Sequence, residues 1–266
     1  MCEGVVKKLD LDYRKDGLLY CGECHEPKEF KFEFAGKTKI VPCLCKCQVL
    51  ARKQDEERRQ LESKQREIDE ARRLGFPDKE LLKYTFAADD RKNAKLSDVM
   101  QKYVDQFKEF KEKGKGLLLY GGVETGKTFF ACCIANALID NGYSCLATNF
   151  SRIANIVWDI ENKQGYYDKL NSFDLLVLDD LGVERNTDYM QEIVFNIVDG
   201  RDRTGLPMII TTNLTLDEIK KPSDIAKQRI YSRVLKNCFP IQVEGIKRRI
   251  DIIKRDYEQT RTLLGL

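Results

Sequence analysis

Short apolar runs recur along the second half of the chain and alternate with longer stretches of helical periodicity. The runs that predict strands lie at residues 116–120, 144–148, 175–178, 208–212 and 239–243. Long connections between short apolar runs require crossover helices, which favours a parallel sheet covered on both faces. Loops at the carboxyl ends of the strands of such a sheet converge on one ligand. The pattern therefore predicts an α/β fold built on a doubly wound parallel sheet.

The N-terminal part of the chain follows a period of two instead. Phe30, Phe32 and Phe34 alternate with charged residues, a turn follows at Gly36, and a second short apolar run ends at Val41. Alternation on both sides of a turn predicts a β-hairpin.

Charged residues dominate the segment 49–73, which contains neither glycine nor proline. Acidic and basic residues four apart, such as Glu62 and Arg66, support a helix that buries little surface. Its apolar residues are too sparse for a coiled-coil seam, and Gly75 and Pro77 predict where it ends. We therefore expect an N-terminal domain at residues 1–48, a charged helical connector at 49–76 and a larger domain at 77–266.

Composition and net charge limit the possible partners and location of the protein. The chain has 266 residues, and its 46 lysines and arginines against 43 acidic residues leave a net charge of only +3. This balance does not indicate a nucleic-acid partner by itself. The N-terminus lacks the apolar core of a signal peptide, and no apolar run approaches the roughly 20 residues of a membrane span. We expect a cytoplasmic protein without a membrane partner, whose ten cysteines are metal ligands or buried thiols rather than disulfides.

Five cysteines cluster at the two ends of the predicted hairpin. Cys21 and Cys24 precede it, and Cys43, Cys45 and Cys47 follow it. A hairpin brings its two ends together, so that four thiolates can bind one tetrahedral zinc ion. Five cysteines compete for four places, and their spacing does not decide between them. The sequence predicts a small zinc-ribbon-like domain, with buried thiols that bind no metal as the alternative.

The same segment also matches the attachment signature of a c-type haem. Cys21, Cys24 and His25 have the required spacing, and His25 is the single histidine of the chain. Haem attachment normally accompanies export, and it would leave the second cysteine cluster without a role. We therefore favour zinc.

A glycine-rich loop follows the first apolar run of the larger domain. Its residues are Gly121, Gly122, Val123, Glu124, Thr125, Gly126, Lys127 and Thr128, and Phe129 continues into the next helix. Such a loop directs backbone N–H groups toward an anion, and the helix that follows adds its positive end. Lys127 is expected to reach the β- and γ-phosphates and Thr128 to bind Mg²⁺. The loop therefore predicts a nucleotide site.

Polar residues also end two other predicted strands. Asp179 and Asp180 follow one strand, where one carboxylate can hold Mg²⁺ and the other can orient or deprotonate a water. Asn213 follows the next strand and offers an amide to the attacking water or the γ-phosphate, although an asparagine at this position also suits a turn cap.

These motifs, together with Arg233 in the later segment 229–233, resemble those of the AAA+ ATPases of the DnaC, DnaI and IstB group. That group comprises bacterial and phage helicase loaders and their transposition relatives, and the resemblance covers residues 80–245. It implies a P-loop AAA+ domain that binds ATP and Mg²⁺. By motif position, Asp179 would bind Mg²⁺, Asp180 would support hydrolysis and Asn213 would act as the sensor. Arg233 would reach into a neighbouring subunit.

The resemblance also implies partners. It predicts ATP-dependent loading of a hexameric replicative helicase onto single-stranded DNA, with self-association through the ATPase domain and helicase contact through the cysteine domain. The alternatives are a transposition helper ATPase of the IstB type and a nucleotide-gated DNA-binding adaptor with little hydrolysis. Two departures favour slow turnover: Glu124 stands where relatives have a small residue, and Asp180 replaces the usual glutamate.

Two further segments are candidates for DNA contact. Residues 150–171 mix aromatic and basic side chains such as Trp158 and Lys163, a combination that suits single-stranded DNA, although helical packing explains part of it. Residues 245–255 predict a basic amphipathic helix, which more often packs its isoleucine face than binds DNA.

Overall fold

The structure is a computed structural model, and it describes residues 12–34, 36–182, 187–222, 224–245 and 257–265. The chain divides into two compact units, with the division between Glu67 and Ile68. The boundaries expected after residues 48 and 76 stay a prediction. No helix in the described ranges combines the length and apolar character needed to cross a bilayer.

The first unit contains two antiparallel hairpins and the start of a long helix. Its elements are β1 (Tyr13–Lys15), β2 (Leu18–Tyr20), β3 (Glu29–Phe34), β4 (Lys37–Pro42) and α1 (Lys46–Gly75). The predicted hairpin is β3–β4, in which Glu29 lies opposite Pro42 and Phe34 opposite Lys37. The predicted charged helix is α1.

Helix α1 is exposed along most of its length. Its surface carries ion pairs between successive turns, including Arg52 to Glu56 at 3.2 Å and Arg66 to Glu62 at 3.7 Å. Exposed pairs of this kind each stabilise a helix by a few tenths of a kcal/mol, about 0.3–0.5. The helix ends at Gly75, and Phe76 directly after it is buried.

The second unit contains a five-stranded sheet between helices. Its strands are β5 (Gly116–Tyr120), β6 (Cys145–Asn149), β7 (Leu175–Leu181), β8 (Met208–Thr212) and β9 (Cys238–Gln242). Its α-helices are α2 (Ala94–Asp105), α3 (Phe107–Glu112), α4 (Lys127–Asp140), α5 (Phe150–Asp159), α6 (Lys163–Ser172), α7 (Asp188–Thr204), α8 (Leu216–Lys220) and α9 (Ile225–Asn237). Short 3₁₀ helices span Lys79–Lys83 and Phe86–Ala88. Residues 257–263 are also helical.

All neighbouring strands of this sheet run parallel, in the order β6-β7-β8-β5-β9. Alternate residues of each strand face opposite layers. Leu117 and Leu119 pack in a core with α2 and α4, whereas Leu118 packs in a second core with α5, α7 and α9. The predicted doubly wound sheet, covered on both faces, is therefore present. The strand order places the carboxyl ends of β5, β7 and β8 side by side.

One strand is longer than predicted, whereas β6 and β9 are each displaced by only one residue from their predicted bounds. We expected the third apolar run to end at Leu178, but β7 continues to Leu181. Leu178 pairs with Ile210 and Leu181 with Thr212, so β7 holds one residue more than β8 over this interval. Such a bulge lets the strand resume pairing after its two acids. The predicted basic helix at residues 245–255 lies, apart from its first residue, outside the described residues.

Candidate nucleotide and metal sites

The glycine-rich loop connects β5 to α4, as its sequence predicts. Gly121 has φ +147°, and a Cβ atom there would lie 2.4 Å from the carbonyl oxygen of Val243. Gly126 has φ +98° and caps the first turn of α4. Glu124 has φ +67°, a conformation that costs a residue with a side chain roughly 1–2 kcal/mol relative to the usual regions. The loop therefore holds one strained position among its glycines.

Lys127 lies buried at the base of this loop, with 6% of its surface exposed. Its Nζ donates hydrogen bonds to the carbonyl oxygens of Gly121 at 3.1 Å and Gly122 at 2.6 Å, and to Asn213 Oδ1 at 2.7 Å. Burial lowers the pKa of Lys127 below its ordinary value. Because all three acceptors are neutral, no hydrogen bond from the described residues gives this buried cation a counter-charge. The arrangement fits an anionic phosphate chain.

Asp179 joins the loop to the sheet. It accepts hydrogen bonds from the Thr128 hydroxyl at 2.8 Å and the Thr211 hydroxyl at 2.6 Å. Burial raises the pKa of Asp179, while these two hydroxyls oppose the shift. A hydroxyl and a carboxylate at hydrogen-bond distance are hard oxygen ligands that suit Mg²⁺. Thr128 and Asp179 are the side chains that would hold it.

Thr211 has a role that its sequence motif does not predict. Its hydroxyl donates to Asp179 and accepts from the backbone N–H of Asp180 at 2.9 Å. Asp180 occupies the bulge with φ +63° and is exposed. A threonine in an apolar, fully buried strand needs a hydrogen-bond partner, and that is the signal that could have identified it. Thr211 thus sets the positions of both acids.

Arg233 stands apart from this group. Its Nε donates to Asp199 Oδ1 at 3.0 Å, and its guanidinium lies 4.8 Å from the ring centre of Phe195. Its Nη1 donates to the carbonyl oxygen of Arg229 at 3.0 Å. These contacts hold Arg233 against α7, and none of its described contacts reaches the glycine-rich loop.

The first unit brings four cysteines together. The Sγ atoms of Cys21, Cys24, Cys45 and Cys47 all lie within 4.8 Å of one another. Tetrahedral zinc at about 2.3 Å from each sulfur would separate the sulfurs by about 3.8 Å, so the group fits zinc. Cys43 is not in the group, because its Sγ points back to the carbonyl oxygen of Pro27 at 3.4 Å.

The cluster is also electrostatically asymmetric. Hydrogen bonding from the backbone N–H of Cys47 lowers the pKa of Cys24 to about 6, and the Cys24 side chain in turn raises the pKa of Cys47 to about 12. A thiolate is the form that binds a metal ion, and Cys24 provides one near neutral pH.

The segment between β6 and β7 presents one large aromatic side chain to solvent. Trp158 is 72% exposed and meets Tyr189 edge to face at 5.7 Å, while Lys163 Nζ lies 5.9 Å from the same tyrosine ring. Ile153 and Val157 of the same helix are buried. Helical packing therefore explains the aliphatic positions of α5 but leaves Trp158 available to a ligand.

Comparison with known proteins places this architecture among ATP-binding proteins. The family model described as IstB-like ATP binding protein matches residues 46–252, which is well over half of the chain. The replicative helicase loader DnaI of Bacillus subtilis (strain 168) is 29% identical over 185 residues, or 64% of this chain and 60% of DnaI. The replicative helicase loader DnaC of Escherichia coli (strain K12) is 28% identical over 131 residues, or 47% of this chain and 52% of DnaC.

A crystal structure of DnaI has the same fold. It superimposes with a TM-score of 0.54 and 23% identity, covering 65% of this chain and 94% of the solved one. The chain spans 52–60% of the length of the two loaders that it matches in sequence.

Proposed function

We propose that this chain, which belongs to the family of IstB-like ATP-binding proteins, loads a hexameric replicative helicase onto single-stranded DNA in an ATP-dependent step. The similarity to the replicative helicase loader DnaI over 185 residues carries the proposal. The grouping of Lys127, Thr128, Asp179 and Asn213 supports ATP binding as its chemical basis.

The chain's own residues account for how ATP would act. Lys127 supplies the positive charge for the phosphates, and Thr128 and Asp179 supply ligands for Mg²⁺, which neutralises developing charge when bound. Asn213 is already hydrogen-bonded to Lys127 at 2.7 Å, so a phosphate that competes for Lys127 changes the position of Asn213 as well. Asp180 is exposed at the same edge and would orient or deprotonate the attacking water.

Arg233 would complete the site of a neighbouring subunit. Arg233 belongs to α9 and packs against α7, and its side chain is 29% exposed, so it is accessible to a second copy of the chain. A guanidinium donated by a neighbour makes hydrolysis depend on assembly. ATPase activity per chain should then rise with protein concentration, and Arg233→Ala should remove that rise while leaving ATP binding intact. Equal activity of both proteins across the association range would contradict this role.

The cysteine unit is proposed to contact the helicase, and zinc is proposed as its metal. When bound, zinc would join the two ends of the β3–β4 hairpin through four thiolates. This unit has few buried residues of its own, so the metal would supply much of its stability.

A pull-down from the source cell with the full chain as bait tests the function as a whole. Recovery of a hexameric helicase in the presence of ATP, and its loss with Lys127→Ala, would support the proposal. A transposition helper ATPase is the second candidate, favoured by the IstB-like description of the family. Recovery of a transposase instead of a helicase would decide for it. No ATP turnover with or without single-stranded DNA would leave a nucleotide-gated adaptor.

A further inference from the structure

One face of the β3–β4 hairpin carries the aromatic side chains of the first unit. Directly opposed residues of an antiparallel pair share a face, and Phe30, Phe32 and Phe34 lie opposite Val41, Lys39 and Lys37. The six paired positions of this face therefore hold three aromatic rings, two lysines and a valine. We call it the phenylalanine face.

Two of the three rings of the phenylalanine face are open to solvent, and Phe32 between them is half-buried. Phe30 is 59% exposed and Phe34 is 63% exposed. The rings of Phe30 and Phe32 are tilted by only 14° with centroids 6.4 Å apart, and Lys39 Nζ lies 5.5 Å from the ring centre of Phe34. Soluble proteins rarely expose such a group of large apolar side chains without a ligand.

The two sides of the β3–β4 hairpin differ in their charged residues. The opposite side carries Glu29, Lys31 and Glu33 on β3, whereas no acidic residue occupies a paired position of the phenylalanine face. Glu29 accepts a hydrogen bond from the backbone N–H of Leu19 at 2.9 Å and lies 3.6 Å from Arg14. Glu29, on the side opposite the phenylalanine face, thus contacts the β1–β2 hairpin.

We infer that the phenylalanine face binds single-stranded DNA, with bases stacked on Phe30, Phe32 and Phe34 and phosphates held by Lys37 and Lys39. Rings spaced two residues apart along a strand offer successive stacking platforms, and nearby cations hold the backbone. An apolar protein surface fits less well, because it would have to bury both lysines without a counter-charge.

This inference rests on the proposed function and deepens it, because it adds a DNA surface on the first unit to the one expected near Trp158. It gives a loader a second binding surface for single-stranded DNA, outside the ATPase unit. Both units can then contribute to the affinity of the full chain for DNA.

The test measures binding of the zinc-loaded full chain to a fluorescein-labelled oligothymidine by fluorescence anisotropy. The double variant Phe30→Ala, Phe34→Ala should bind about 25-fold more weakly, since base stacking contributes about fivefold or more for each ring. The double variant Phe30→Leu, Phe34→Leu keeps apolar surface without rings and should also lose most of this affinity. Lys39→Ala should flatten the dependence of log K on log salt by about 0.7.

Ile40→Ala is the matched control, because Ile40 is 49% exposed on the opposite side of the same hairpin. It should bind DNA as the parent does, and zinc content should be equal in all variants. Unchanged DNA affinity of the Phe30→Ala, Phe34→Ala variant would overturn the inference, whether or not helicase recovery falls. If the parent chain in the same experiments still binds DNA and recovers the helicase, the proposed loader function is retained although this inference is wrong. If the parent chain recovers no helicase, the proposed loader function is wrong. If the parent chain binds no DNA, the loader function and this inference are both wrong.

Discussion

Substitution of Thr211 tests how the positions of Asp179 and Asp180 are fixed, because its one hydroxyl is hydrogen-bonded to both residues. Thr211→Val keeps the shape of the side chain and removes the donor to Asp179 and the acceptor for the N–H of Asp180. A hydrogen bond to a charged group contributes about 1.5–3 kcal/mol, and the partly buried bond from the N–H of Asp180 contributes about 0.5–1.5 kcal/mol. The two effects overlap at one hydroxyl, so we expect the second unit to lose about 2–4 kcal/mol of stability.

Urea unfolding without nucleotide or Mg²⁺ measures this loss. Trp158 is the only tryptophan of the chain and lies in the second unit, so its fluorescence follows the unfolding of that unit alone. The same substitution should raise the Mg²⁺ concentration required for ATP turnover, because Asp179 loses one of its two hydroxyl donors and its pKa, already raised by burial, rises further.

Thr212→Val is the control for this prediction. Thr212 is equally buried, but its hydroxyl donates to the carbonyl oxygen of Leu181 at 2.6 Å and accepts from the N–H of Leu214 at 3.1 Å, without contact to an acid. It should lose stability and keep the parent's Mg²⁺ dependence. A stability of Thr211→Val within about 0.5 kcal/mol of the parent, or an equal change of Mg²⁺ dependence in both variants, would contradict this role of Thr211.

Three further predictions concern the metal cluster, the buried acid and the strained loop residue. Cys45→Ser should abolish stoichiometric zinc in the purified chain, whereas Cys43→Ser should retain it; equal zinc loss would return Cys43 to the ligand set. Burial raises the pKa of Asp179 above its ordinary value of 3.8, so the folded chain binds this proton more tightly and stability falls as pH rises from 3.8 through the folded pKa. Asp179→Asn should therefore raise the thermal midpoint of the metal-free chain at neutral pH, and this gain should be absent below about pH 3.8. The same substitution should end Mg²⁺-dependent turnover. A lower thermal midpoint at neutral pH would show that the charged carboxylate does not destabilise the fold. Glu124→Gln should tighten ATP binding in an equilibrium titration by up to about fivefold, because it removes a negative charge from the loop expected to hold the phosphates, and unchanged affinity would show that this charge does not oppose ATP.

The local pattern of the chain determined much of this protein. Apolar runs and their spacing predicted five parallel strands, the covered sheet, the aromatic hairpin and the charged helix, because side-chain periodicity reports directly which faces of an element are buried. The glycine-rich loop could likewise be read from sequence, since a phosphate loop needs its residues in consecutive order. Asp179 and Asn213 were recognisable because each follows an apolar run.

Only the tertiary structure decided which of these residues meet. Lys127 and Asn213 are 86 positions apart and touch because β8 lies beside β5, and no local pattern contains that strand order. The choice of Cys45 and Cys47 over Cys43 depends on which way each side chain leaves the hairpin. In the sequence, Thr211 looks like any buried strand residue, and only the position of β7 beside it shows its contact with the two acids. Arg233 likewise looks like any surface arginine, and only the fold shows its ion pair with Asp199. Periodicity specifies which faces are buried, whereas contact between distant residues depends on how whole elements pack, and that is settled by the free energy of the entire fold.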